Sequence, residues 1–89
     1  MIDLQIKKQL LKREIAGESF LVPLGKTVYE SNGLYVLTEL GSYIWDLLPQ
    51  VEGPEDILNA VLRDYDVSEE TARADIAEFL EKLKTMGIL

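Results

Sequence analysis

The sequence contains no cysteine and no histidine. Disulfides, thiolate catalysis, iron–sulfur ligation and the usual zinc sites are thereby excluded within these 89 residues. Acid–base work would fall to carboxylates, lysine or tyrosine, which makes an enzyme a poor fit. No nucleophile–base pair, phosphate-cradling loop or metal set is visible, and no cofactor is expected. No apolar run approaches the ~20 residues that a transmembrane helix requires. Residues 1–6 carry an acid early and have no apolar signal core, so no export signal is expected. Together with the missing cysteine, this favours the cytoplasm.

What is present is the composition of an ordinary globular protein, 47% hydrophobic and 28% charged. The length suits one domain spanning residues 1–89, with a modest core. The net charge of −7 is unevenly spread. Residues 1–26 hold Lys7, Lys8, Lys12, Arg13 and Lys26 against three acids, whereas residues 27–89 hold four bases against thirteen acids. A chain whose helical part is this acidic is a poor partner for phosphates, which need clustered Lys and Arg.

Leu10–Ile15 reads as a first strand, Ala16–Ser19 as a turn built round Gly17, and Phe20–Val22 as a second strand. Pro23, which has no amide donor, should end that strand or mark an edge. A connector from Gly25 to Gly33 contains the turn signal Ser31-Asn32-Gly33, with Val28 and Tyr29 as candidates to pack on the core. Leu34–Leu37 is rich in residues that suit a pleated surface and reads as a third strand. Thr38 is a plausible N-cap for a helix carrying Leu40, Tyr43, Ile44, Leu47 and Leu48 at helical spacing, which Pro49 stops. Gly53-Pro54 opens a second helix with Ile57, Leu58, Val61 and Leu62 as its stripe. Ser68 caps a third, whose apolar face is expected to hold Ala72, Ile76, Phe79, Leu80, Leu83 and Met86. Gly87 ends that helix in the left-handed conformation, and Ile88 and Leu89 are expected to fold back on the core. Three strands followed by three helices predict an α+β domain.

That order resembles the PqqD family and the wider set of leader-peptide recognition domains. The resemblance is carried by Ala16-Gly17-Glu18-Ser19-Phe20-Leu21-Val22-Pro23-Leu24-Gly25, by the run from Asn32 to Leu48, by Tyr65-Asp66-Val67-Ser68-Glu69-Glu70-Thr71-Ala72, and by Asp75 to Gly87. Thr38-Glu39-Leu40-Gly41 stands where many relatives have Asn-Glu-Thr-Gly, and the connector before Gly33 is longer than in the pyrroloquinoline quinone proteins. The resemblance implies a winged-helix-like fold with a three-stranded antiparallel sheet that binds peptide and not DNA. It implies a non-catalytic module holding the leader segment of a ribosomally made precursor peptide for a separate modifying enzyme, often a radical S-adenosylmethionine enzyme. The leader would add as a strand to the edge of the third strand, against the third helix.

The sequence permits that mode, because Leu34, Tyr35, Val36, Leu37 and Thr38 include no proline and each amide can donate. Tyr35 and Leu37 share one face of the strand, Leu34 and Val36 the other, and the sequence does not say which faces a groove. On the third helix, at 100° per residue, Arg73, Ala77, Leu80 and Lys84 lie along one shoulder. Ala77 would leave room, Leu80 would supply an apolar floor, and Arg73 and Lys84 would pair with leader acids. The plain alternatives are solvated charges and core packing. Competing readings are a winged-helix DNA binder, which would need a basic recognition helix, a small acidic carrier protein with Ser42 as its attachment point, and a generic dimerisation domain pairing through its open edge, so that a homodimer is possible.

Overall fold

Period-two alternation builds the first layer. In a computed structural model, which describes residues 4–26 and 35–89, strand β1 (Leu10–Ile15) pairs antiparallel with β2 (Glu18–Pro23). The register runs from Leu10↔Pro23 to Ile15↔Glu18 and leaves Ala16-Gly17 as a two-residue turn. Both turn residues have positive φ, 55° and 83°, as the hairpin turn matching strand twist demands. Gly17 adopts this freely, but Ala16 pays for its Cβ. Pro23 takes the last ladder position, one residue beyond the expected end of the strand. Strand β3 (Tyr35–Leu37) pairs antiparallel with β2 through Ser19↔Leu37, Phe20↔Val36 and Leu21↔Tyr35. The expected connector turn, the packing of Val28 and Tyr29, and Leu34 at the head of the third strand lie outside the described residues.

Strand order is β1-β2-β3, so β3 is an edge. Leu21 and Leu37 point inward and are buried, while Leu11, Ile15 and Val36 stay exposed on the far face. The helices cover the inner face. Thr38 Oγ1 accepts the Gly41 N–H at 3.0 Å and caps α1 (Glu39–Leu47). Pro49 lies in the 3₁₀ turn Leu48–Gln50 that ends it. Helix α2 (Pro54–Asp64) has proline in its first turn together with Glu55 and Asp56, where acids complement the dipole. Ser68 Oγ accepts the Thr71 N–H at 3.1 Å and caps α3 (Glu69–Thr85).

The end of α3 is a complete Schellman motif. Gly87, at φ 75°, donates to the Lys84 carbonyl at 3.0 Å, and Ile88 donates to the Leu83 carbonyl at 2.9 Å. Ile88 is thereby turned into the core, and its carbonyl accepts the Lys7 N–H at 2.7 Å, clipping the segment before β1 to the end of the chain. The core draws on every layer: Leu21 and Leu37 from the sheet, Ile44 and Trp45 from α1, Ile57 and Val61 from α2, Ile76, Leu80 and Leu83 from α3. Each large side chain buried there contributes roughly 1.5–3 kcal/mol.

Two polar ties fix the layers. Lys12 faces inward from β1 and reaches Ser42 Oγ at 2.9 Å and Asp46 Oδ2 at 2.6 Å on α1. The Tyr43 hydroxyl donates to Asp64 Oδ2 at 2.5 Å, and its ring meets Tyr65 edge-on with centroids 5.1 Å apart. The Asp64 carboxyl is held down at about 2, first by its hydrogen bonds from Arg63 and then by that from Tyr43.

Relief of the strained turn is expected to stabilise the fold. Ala16→Asn should raise the unfolding free energy by about 0.5–1 kcal/mol, and Thr38→Ala should lower it by about 1 kcal/mol, both read from urea denaturation. Tyr43→Phe should move the Asp64 ionisation upward, though not to the ordinary carboxylate range, since Arg63 still donates. A carboxyl ionising lower in the folded protein adds stability above its unfolded pKa of 3.8, and that stability fades as pH falls toward about 2. Carboxyl chemical shifts followed against pH check both statements.

Candidate functional site

Beside the β3 edge runs a groove of about 270 Å³. Tyr35 and Thr38 form its sheet side, Leu40, Gly41 and Ile44 of α1 its floor, and α3 supplies Asp75, Glu78, Phe79 and Lys82 as the opposite wall. Three successive turns of α3 take part, so the groove runs along that helix. Among the described residues β3 pairs with β2 alone, which leaves the backbone groups on its other side without a strand partner.

The floor depends on a glycine. A Cβ on buried Gly41 would come within 3.1 Å of Phe79 Cε1 and 3.2 Å of Thr38 Oγ1. Absence of that carbon lets the capped end of α1 sit against the Phe79 ring, which is itself only 8% exposed. The wall is polar at its rim. Lys82 Nζ lies 3.2 Å from Glu78 Oε1, one turn away. Asp75 is exposed and, among the described residues, makes no ion pair.

This arrangement has the fold of known proteins. The family model of coenzyme PQQ synthesis protein D (PqqD) matches residues 21–89, most of the chain, from the second half of β2 through β3 and all three helices. The chain belongs to the PqqD family. A solved structure described as TbiB1 in complex with the TbiA(beta) leader peptide is 28% identical, covering 96% of this chain and 93% of that one, with a TM-score of 0.74. Comparison with curated proteins gives no match. The expected α+β fold, a three-stranded antiparallel sheet followed by three helices, is the observed one, and the resemblance to the PqqD family holds.

Within this PqqD-family chain the expected site residues fall into separate places. Tyr35 and Thr38 line the groove, Leu37 is buried beneath the sheet, and Val36 points to solvent on the far face with 57% exposure. The Tyr35–Leu37 face is therefore the one turned toward the helices. Leu34 lies outside the described residues. Arg73, Ala77 and Leu80 do not face β3. They line another groove, against Pro54, Glu55 and Leu58 of α2. There Arg73 holds Glu55 at 2.9 Å and Glu69 at 3.1 Å, while Leu80 is buried. Lys84 is exposed near the end of α3 and lines neither groove.

The wall toward β3 is thus the opposite shoulder of α3, with Asp75, Glu78 and Lys82 on it. One signal in the sequence marks the difference. Ala77 and Leu80 make the other shoulder the more apolar, and the more apolar shoulder is the one that packs on a neighbouring helix. Gly41 carried a further signal, a glycine inside a predicted helix, which often marks close approach.

No helix among the described residues is long and apolar enough to cross a membrane.

Proposed function

We propose that this protein binds the leader segment of a ribosomally made precursor peptide by strand addition and presents it to a separate modifying enzyme. The observation that carries the reading is the juxtaposition of a groove of apolar floor along α3 with a strand that, among the described residues, is paired on one side only. Membership of the PqqD family and the likeness to a chain solved with a leader peptide support it. The leader extends the sheet beyond β3, using the outward N–H and C=O groups of Tyr35–Leu37, since the Thr38 carbonyl already accepts the Ser42 N–H at 2.8 Å. Its alternate side chains enter the groove between Tyr35 and Phe79.

The energetics suit a carrier of peptides. About four backbone bonds gain roughly 0.5–1.5 kcal/mol each and say little about sequence. One large apolar side chain in the groove adds roughly 1.5–3 kcal/mol and supplies choice. Ordering a flexible leader offsets much of this, which places affinity on the order of micromolar. The module acts by holding and not by catalysis. We take the partner to be a radical S-adenosylmethionine enzyme in the cytoplasm. The acidic α2 and α3 work against DNA as the ligand: Arg63, Arg73 and Lys82 are all paired with carboxylates.

Titration with a synthetic leader, taken from a precursor reading frame beside this gene, should shift the amides of Tyr35–Thr38 and Asp75–Lys82 together. Tyr35→Ala should weaken binding about tenfold or more while circular dichroism stays native. Saturable shifts confined to Arg73, Ala77 and Leu80, or none, would overturn the reading. The same edge can also pair with its own copy. Analytical ultracentrifugation should then show a dimer that dissolves as leader is added.

A further inference from the structure

We propose that the β3–α3 groove selects an extended segment carrying a Lys or Arg against Asp75, two positions from an apolar residue seated between Tyr35 and Phe79. The inference rests on the peptide-binding reading above and names the chemistry of the segment.

Charge is the first argument. Among the described residues Lys82 is the only base lining the groove, and Glu78 already neutralises it. Asp75 has no such partner among the described residues. At Thr38 the groove meets a second hollow of about 620 Å³ at the hairpin end of the sheet. Among the described residues its lining includes Glu14, Glu18 and Glu39 and no base. Of the nearby cations, Lys12 holds Asp46 at 2.6 Å and Arg73 holds Glu55 at 2.9 Å, while Arg13 stands with Leu11 and Ile15 on the far face of β1, opposite Phe20 and away from the groove. A segment laid along the open edge of β3 therefore passes Asp75, Glu78 and one ammonium that is already paired, while Glu14, Glu18 and Glu39 at the hairpin end add to the negative field without standing on its path. An acidic segment is repelled along this path, and a basic one is drawn in.

Spacing is the second argument. Asp75 and Phe79 are one helical turn apart, about 5–6 Å between their Cβ atoms. Along an extended strand, side chains on one face recur every second residue, about 6.5–7 Å apart. A strand docked along α3 thus puts a cation on Asp75 and an apolar side chain at Phe79 when the two are separated by one residue. The charge is the reverse of that expected from Arg73 and Lys84. Those bases stand on the α2 side and at the end of the helix, not on this wall.

The test is selection from a random twelve-residue display library against the full chain, against Asp75→Lys and against Asp75→Asn. Asp75 is exposed, so both variants should melt as the parent does. The parent should enrich Lys or Arg at one position two residues from an aromatic or branched aliphatic residue. Asp75→Lys should enrich Asp or Glu there, and Asp75→Asn should lose the preference. A peptide enriched on the parent should bind Asp75→Lys roughly tenfold more weakly by fluorescence anisotropy at low salt, and the gap should shrink in 0.5 M NaCl. Peptides that compete at Tyr35 but show no charge preference, or the same preference on all three proteins, overturn this inference and leave peptide binding standing. Failure to enrich any peptide that Tyr35→Ala weakens overturns both.

Discussion

Three strands are too few to close a sheet, and the outermost must face something with half of its backbone polar groups unspent. That constraint governs the rest of the molecule. Among the described residues the helices stack on one face only, because Leu21 and Leu37 alternate inward while Val36 and Ile15 do not. With one face covered and the hairpin fixing β1 and β2, β3 is left at the rim with α3 alongside. The groove is the space between a strand that needs a neighbour and a helix that stands too far off to be one. Its depth is set where α1 begins, by a threonine cap and a glycine that admit the Phe79 ring.

Electrostatics sorts the two sides of α3. On the α2 side, Arg73 bridges Glu55 and Glu69, and the bridge crosses from one helix to the next. Exposed bridges of this kind stabilise little individually, but they consume the positive charge. On the β3 side a carboxylate is left over. The same helix therefore presents a spent surface to its neighbour and an unbalanced one to the groove.

Much of this was legible in the sequence, and for identifiable reasons. Strand β1, the Gly17 turn, the Thr38 and Ser68 caps, the Pro49 stop and the Gly87 terminus each rest on local chemistry, and the structure places each where that chemistry puts it. The groove wall was half legible. Helical spacing identifies the two shoulders of α3, but choosing between them requires knowing on which side α2 packs, which is a tertiary fact. The face of β3 turned toward the helices is likewise settled by register with β2 and by the burial of Leu37. The tie of Lys12 to Asp46 joins positions 34 residues apart and has no local signature.

The sequence holds a single tryptophan, and Trp45 is packed in the core at 8% exposure without lining the groove. Its indole emission therefore follows solvent entry into the helical layer. A guest that settles beside β3 while that emission keeps its colour has left the layer shut. The molecule thus carries its own optical gauge of whether docking is rigid or accompanied by loosening.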